Sequence, residues 1–289
     1  MQVEVLAEGL GWPEGPSRLP DGRIVFVETY RSQVSVWDPK SGYGRFADTA
    51  GGPNATALGD DGVYVTQNGG VAGPWRAERM CEPSIQRVTL AGTVEVVCTK
   101  IEGVMLKAPN DLAFGPDGTL YFTDPGDYDQ EIRPDPGYIF ALRPDGTGRV
   151  IAELERTYPN GIAVESDGSV VWTESYTGAV RRWRPGDGSI EMIGNPRHIP
   201  DGLAIASDGR LYVTAVDAAG LDILTPDGGN VEFLSLGSVP TNCLFDGTTM
   251  YVTDGGEGGE TETAVFGGSL FRIELGVEGM KPFGGRIGA

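Results

Sequence analysis

The chain has 289 residues and a formal net charge of −19, from 41 acidic and 22 basic side chains. A negative charge of this size repels phosphates, which argues against nucleic acid and anionic membrane surfaces as partners. Three cysteines without a Cys-x-x-Cys pair exclude a disulfide framework and a zinc–thiolate site. The first residues lack the pattern of a signal peptide, and no segment is apolar over the length of a membrane span. We therefore expect a cytoplasmic protein, and we leave monomer and small homo-oligomer open.

One phrase recurs six times along the chain. It consists of a proline, one polar residue, a short apolar run, an Asp-Gly turn and a β-rich run that ends in threonine. The copies begin at Pro13, Pro53, Pro109, Pro159, Pro200 and Pro240. Self-similar units at such intervals are typical of propellers and solenoids. With 45 glycines, 20 prolines and no long segment of helical period, the sequence predicts an all-β protein.

Taken in chain order, the copies each predict one four-stranded antiparallel sheet. The first spans residues 14–47, the fourth spans 159–194 with short turns between its strands, and the fifth spans 201–234. The sixth copy supplies three clear strands, which end near Leu275. The segment VEVLAEG before the first copy has the alternation needed for the missing outer strand. The sequence therefore predicts one domain, residues 1–289, that forms a six-bladed β-propeller closed by its N-terminal strand.

The residue that follows each repeat proline varies while its frame is constant. In chain order these residues are Glu14, Asn54, Asn110, Asn160, Asp201 and Thr241. Equivalent positions in a closed ring of blades converge on its axis, so we expect these side chains to meet at one face of the propeller. Long loops predicted to return to that face, at residues 67–83, 98–108, 124–136 and 254–267, would then shape a binding site.

Four of these residues form an oxygen-only set of candidate metal ligands: Glu14, Asn110, Asn160 and Asp201. Carboxylate and amide oxygens suit hard divalent cations, and a cation between the two carboxylates would relieve their repulsion. Asn and Asp are also common turn residues after Pro, which accounts for Asn54 but not for Glu14. The sequence therefore predicts one divalent metal ion. Ca²⁺ is the first choice, with Mg²⁺, Mn²⁺ or Zn²⁺ as alternatives.

Four motifs give the chain a resemblance to a known family. They are Glu14-Gly15-Pro16, Pro109-Asn110-Asp111, Pro159-Asn160-Gly161 and Pro200-Asp201-Gly202, each followed by its Asp-Gly turn. The chain resembles the family of senescence marker protein, gluconolactonase and luciferin-regenerating enzyme, whose members are six-bladed propellers. The motifs span essentially the whole chain, and they are more specific for the family than for the substrate.

In that family the matching Glu, second Asn and Asp bind one divalent metal ion. The resemblance therefore implies Glu14, Asn160 and Asp201 as ligands, and Asp201 would also be the catalytic base. Asn110 would contact the metal or the substrate. Asp111 would orient a neighbouring ligand, or would be a turn carboxylate without a further role.

Five further side chains in or beside the ring-face loops are candidates for substrate contacts: Lys107, Trp75, Tyr128, Tyr176 and His198. With Asn110 and Asp111 they complete the predicted substrate-binding set. His198 is the only histidine of the chain and is suited to proton transfer near neutral pH. Packing between blades is the alternative role for the aromatic side chains.

Together these residues predict a metal-dependent hydrolase that acts on a small molecule, first of all a lactonase that opens a sugar-acid or other small lactone. The metal would polarise the carbonyl while Asp201 deprotonates the attacking water. Animal members of the family carry an arginine for sugar contact where this chain has Ala108, which leaves a gluconate-type substrate open. Three alternatives remain: phosphotriester or fluorophosphate hydrolysis with Asp201 as nucleophile, a non-hydrolytic rearrangement, and a non-catalytic propeller that binds a small molecule.

Overall fold

The fold is a six-bladed β-propeller, and a computed structural model describes residues 2–257 and 262–288 of it. Each blade is a four-stranded antiparallel sheet whose first strand lies innermost. Blade 1 comprises Pro13–Arg18, Ile24–Glu28, Gln33–Asp38 and Gly42–Asp48. Blade 2 comprises Pro53–Leu58, Val63–Gln67, Ser84–Val88 and Val94–Cys98. Blade 3 comprises Leu112–Phe114, Leu120–Asp124, Gly137–Leu142 and Gly148–Leu154. Blades 4 and 5 comprise Pro159–Val164, Val170–Glu174, Ala179–Trp183 and Ile190–Gly194; and Pro200–Ile205, Leu211–Ala215, Gly220–Leu224 and Asn230–Ser235. The predicted all-β propeller is confirmed.

Blade 6 closes the ring with strands from both ends of the chain. It contains Pro240–Asp246, Thr249–Asp254, Gly268–Glu274 and, as its outer strand, Val3–Leu10. The register pairs Val3 with Ile273 and Leu10 with Gly268. The predicted closure is confirmed, and it covers an edge that would otherwise expose unpaired backbone groups.

Three short elements lie outside the blades. Val71–Ala72 pairs with Trp75–Arg76, and Lys100–Ile101 pairs with Val104–Met105. A 3₁₀ helix covers Thr29–Arg31. No helix in the described residues is both long and apolar enough to cross a bilayer.

The Asp-Gly dipeptides form the tight turns between first and second strands. In blade 4, Gly168 has φ +85°, a left-handed conformation that favours glycine. The Asp167 carboxylate accepts a hydrogen bond of 2.8 Å from the Ser169 amide and so fixes the turn from inside. These turns lie on the face opposite the ring residues, because each inner strand runs from the ring residue to its turn.

In four of the six blades the threonine near the end of the repeat joins one blade to the next. In blades 2 to 5 this side chain is fully buried, and its hydroxyl donates to the carbonyl of the ring residue in the following blade. The bond from Thr173 to the Asp201 carbonyl, for example, is 2.6 Å long. Blade 1 has Val27 at this position, and the hydroxyl of Thr29 there donates to the Pro53 carbonyl instead. The repeat threonines therefore position the backbone of the ring residues.

Apolar side chains fill the spaces between adjacent blades. The largest of these clusters joins blades 2 and 3 through residues such as Tyr64, Phe114, Phe122 and Phe140. Equivalent clusters lie between each of the other neighbouring blades. This packing fixes the six inner strands around one axis, and the ring residues lie where those strands begin.

Candidate functional site

Five of the six ring residues line one cavity of about 690 Å³ at the loop face: Glu14, Asn54, Asn110, Asn160 and Asp201. The sixth, Thr241, is fully buried, and its hydroxyl donates to the Pro13 carbonyl at 2.7 Å. Thr241 therefore ties blade 6 to blade 1 and does not reach the cavity. Asn54, which the sequence interpretation left as a turn residue, faces the same space as the predicted ligands.

Side chains at the ends of the second strands hold the backbone that leads into each ring position. The Asp124 carboxylate accepts hydrogen bonds from the amides of Lys107 and Ala108, at 2.8 and 2.9 Å. Asp254 accepts from Val239 in blade 6 in the same way, at 3.0 Å. Burial raises the pKa of Asp124 to about 6. These supporting side chains could have been found in the sequence, because Asp, Glu or Gln directly follows most of the repeat threonines.

Below the ring residues the inner strands approach one another closely. A β-carbon on Gly161 would lie 2.5 Å from the Asp201 carbonyl oxygen, so this position requires glycine. Blades 3 and 6 instead carry Asp111 and Asn242 at the equivalent position, and the Asn242 amide donates to the Asp111 carboxylate at 3.2 Å. These two side chains form the floor beneath the ring.

The Glu14 carboxyl group of the ring interacts with two other carboxyl groups, those of Asp201 in the ring and Asp111 in the floor. Burial raises the pKa of Glu14 well above its usual value, and the neighbouring charges of Asp201 and Asp111 raise it further. The Gly15 amide, 3.1 Å from the Glu14 carboxylate, and the Asn242 side chain offset only part of this effect. Burial also raises the pKa of Asp111 to about 6. Charged forms of these acids are thus costly without a compensating cation.

The donor set fits a hard divalent cation. Glu14 and Asp201 supply carboxylates, and Asn110 and Asn160 supply carboxamides, all at the bottom of one cavity. The side-chain nitrogen of Asn160 donates to the Ser175 hydroxyl at 3.1 Å, which leaves the side-chain oxygen of Asn160 to act as a ligand. Within the described residues no group of three or more His, Cys, Asp or Glu side chains forms a metal cluster. Any metal here would therefore depend on amide oxygens as well as carboxylates, which is usual for Ca²⁺.

Besides Asn110, six residues were predicted to contact the substrate, and the structure places one of them in the cavity lining and five outside it. Tyr128 lines the cavity, where its ring packs 5.0 Å from that of Tyr158. Asp111 lies beneath the ring and faces a second cavity, of about 510 Å³, on the opposite face. The remaining four are Trp75, Lys107, Tyr176 and His198, which the structure places beside the cavity rather than in its wall.

Each of these four side chains has another partner. Trp75 is buried against Tyr30, with ring centroids 5.2 Å apart, and the Lys107 ammonium pairs with the Asp135 carboxylate. The Tyr176 hydroxyl accepts a hydrogen bond of 2.8 Å from the Asp129 amide, and burial raises the pKa of this hydroxyl to about 12. The imidazole of His198 lies 3.1 Å from the Asp222 carboxylate. They support the loops that surround the cavity.

The sequence interpretation missed several residues that shape the site. Ser175 and Thr29 both follow a second strand, line the cavity and donate to the carbonyl of the next blade's proline. Arg76 brings a guanidinium to the cavity wall from the loop at 67–83. Within the predicted loop at 254–267, residues 258–261 lie outside the described part of the chain.

Comparisons with known proteins agree with this architecture. The family model for the SMP-30/gluconolactonase/LRE-like region matches residues 12–255. A gluconolactonase from Zymomonas mobilis subsp. mobilis is 28% identical over 186 residues, which cover 57% of this chain and 49% of that protein. The match thus spans about half the length of this curated relative.

Solved structures share the fold at low sequence identity. A luciferin-regenerating enzyme superposes with a TM-score of 0.80 at 18% identity, with 99% of each chain covered. A gluconolactonase from Xanthomonas campestris gives 0.74 at 20% identity, covering 94% of this chain and 89% of that one. The calcium-binding protein regucalcin from Agrobacterium tumefaciens gives 0.74 at 16% identity, covering 99% and 96%. On the family match, the chain belongs to the SMP-30/gluconolactonase/LRE-like family.

Proposed function

We propose that the protein is a divalent-metal-dependent lactonase that hydrolyses a small lactone. One observation carries this proposal: two carboxylates and two carboxamides line a single cavity that is large enough for a small molecule. The similarity to gluconolactonases supports the choice of a lactone as substrate.

Glu14, Asn160 and Asp201 would hold the metal, and Asn110 would bind the metal or the substrate. A divalent cation bound there supplies Lewis acidity to the lactone carbonyl and stabilises the negative charge that develops on its oxygen. Ca²⁺ is the first candidate, because the donors are hard oxygens and the similar regucalcin is described as calcium-binding.

The residues of the chain perform the remaining tasks. Asp201 accepts the proton of the attacking water as general base. Ser175 keeps the Asn160 amide in one orientation through its hydrogen bond of 3.1 Å. Asp111 and Asn242 close the floor beneath Glu14 and Asp201, so that the substrate enters from the loop side only.

A substrate and metal screen tests this proposal. Metal-free protein is assayed with aldonolactones, aliphatic lactones and phosphotriesters after separate addition of Ca²⁺, Mg²⁺, Mn²⁺ and Zn²⁺. We expect lactone hydrolysis that disappears with chelator and returns with one of the metals. If only phosphotriesters were hydrolysed, the protein would be a phosphotriester hydrolase and not a lactonase. If no metal-dependent hydrolysis were found, the alternative of a non-catalytic propeller that binds a small molecule would take its place.

A further inference from the structure

A second set of equivalent residues surrounds the cavity directly above the ring. These residues immediately precede the six repeat prolines, and we call them the collar: Trp12, Gly52, Ala108, Tyr158, Ile199 and Val239. All of them except Gly52 line the cavity. None carries a charge or a carboxamide. The ring below the collar is polar, whereas the collar itself is mainly hydrocarbon and aromatic.

The two large collar residues adopt an unusual backbone conformation. Trp12 has φ +53° and Tyr158 has φ +55°, in the left-handed region that non-glycine residues seldom occupy. Both aromatic rings pack against a tyrosine, with ring centroids 5.8 Å apart for Trp12 and Tyr30 and 5.0 Å apart for Tyr158 and Tyr128. Backbone strain at two equivalent positions that face one cavity is typical of a functional site.

Two polar side chains of the loops that line the cavity, Arg76 and Asn68, already make internal hydrogen bonds. The Arg76 guanidinium binds the Asp127 carboxylate at 2.8 Å and the carbonyl of Trp75 at 2.7 Å. The Asn68 side-chain oxygen accepts from the amides of Gly70 and Val71, at 2.8 and 3.2 Å. These groups stabilise their own loops, which reduces their capacity to bind the hydroxyl groups of a ligand.

We propose that the collar selects a lactone whose ring carries an alkyl or aryl substituent, in preference to a polyhydroxylated lactone. This inference rests on the proposed lactonase function and names its substrate class. A substituent of hydrocarbon gains by leaving water for the collar, whereas a hydroxyl group placed there loses its water and meets only two polar side-chain groups of the collar, the Tyr158 hydroxyl and the Trp12 indole N–H. In this proposal the metal-binding ring binds the lactone group, and the collar contacts the substituent on the lactone ring.

Three lactones with the same six-membered ring test the substrate class: δ-decalactone, unsubstituted δ-valerolactone and D-glucono-1,5-lactone. We expect kcat/KM for δ-decalactone to exceed that for D-glucono-1,5-lactone by at least about 10²-fold, the scale at which a hydrophobic pocket rejects an added hydroxyl group. Equal rates, or a preference for the glucono-lactone, would overturn the collar proposal and leave the lactonase proposal intact.

A β-branched variant that is smaller and carries a hydroxyl group tests the collar directly. Ile199→Thr places a hydroxyl in the collar, and Ile190→Thr makes the same change on the outer strand of blade 4, where the side chain is exposed. We expect Ile199→Thr to lower kcat/KM for δ-decalactone by about 10-fold, with little change for δ-valerolactone. Ile190→Thr should change neither. Equal losses on both substrates in Ile199→Thr would contradict a role in substrate selection.

Binding of non-hydrolysable lactams separates the two proposals. Without any lactone turnover the proposed function fails, but calorimetry with 6-pentylpiperidin-2-one and gluconolactam still measures collar preference. We expect at least about 10-fold tighter binding of the alkyl lactam, because each buried methylene group favours binding. The opposite order would overturn the collar proposal whatever the enzymatic result.

Discussion

Metal binding should stabilise the protein more at neutral than at acidic pH. The acids beneath and within the ring have raised pKa values, that of Asp111 to about 6 from its ordinary 3.8, and that of Glu14 well above its ordinary 4.5. In the folded chain they therefore retain protons over a pH range in which the unfolded chain has already lost them. For the metal-free protein, the free energy of unfolding should fall as the pH rises from about 4 through about 6.

The size of the effect follows from the pKa of Asp111. At 1.36 kcal/mol per pH unit, the difference between 3.8 and about 6 amounts to about 3 kcal/mol, lost across this range. A cation at about 100 times its dissociation constant adds about 2.7 kcal/mol at neutral pH. With an unfolding entropy of about 2.1 cal/mol/K per residue, this added stability raises Tm by ~4 °C for a chain of 289 residues. Because the pKa of Glu14 is raised, protons compete with the cation for this carboxylate, so the shift in Tm should be smaller at pH 5 than at pH 7.5.

The assay is thermal unfolding of metal-free and Ca²⁺-loaded protein at pH 5 and pH 7.5. Glu14→Gln is the control, because it keeps a side-chain oxygen but removes the titrating charge. We expect this variant to be more stable than the metal-free parent at pH 7.5 and to respond less to Ca²⁺. An equal Ca²⁺-induced shift at the two pH values would refute the reasoning that the cation compensates for these carboxylates.

Three further predictions concern catalysis, metal geometry and blade contacts. Asp201→Asn should still bind metal and unfold at a near-normal temperature, with kcat lower by at least ~10²-fold, the usual scale for a general base; full activity would exclude that role. Ser175→Ala should release the side-chain amide of Asn160 and weaken Ca²⁺ binding by about 10-fold in a calorimetric titration, the scale for loss of a group that orients a ligand. Unchanged affinity would show that this hydrogen bond does not orient a metal ligand. Thr173→Val removes the 2.6 Å bond to the Asp201 carbonyl and should destabilise the protein by ~1–3 kcal/mol in urea unfolding, unless the blades relax around the valine as they accommodate Val27 in blade 1.

The sequence by itself determined the architecture. Six copies of one phrase predict six blades, and a short sixth copy preceded by an unassigned N-terminal strand predicts the closure that Val3–Leu10 makes. This succeeds because a repeat imposes the same local structure on every copy, and the ring positions follow from shared register alone. The meeting of Glu14, Asn110, Asn160 and Asp201 around one cavity could therefore be anticipated without coordinates. The metal and the catalytic role of Asp201 remain predictions.

Only the tertiary structure decided which loop side chains face the cavity. Trp75, Tyr176 and His198 were reasonable candidates because they lie in or beside ring-face loops, yet each packs or pairs beside the cavity lining. These loops do not repeat from blade to blade, so no shared register relates sequence position to side-chain direction. The collar illustrates the opposite case. The frame of the collar was present in the sequence. Its apolar character became meaningful only when the structure showed that Trp12 and Tyr158 line one cavity, because that depends on how six sheets pack around an axis.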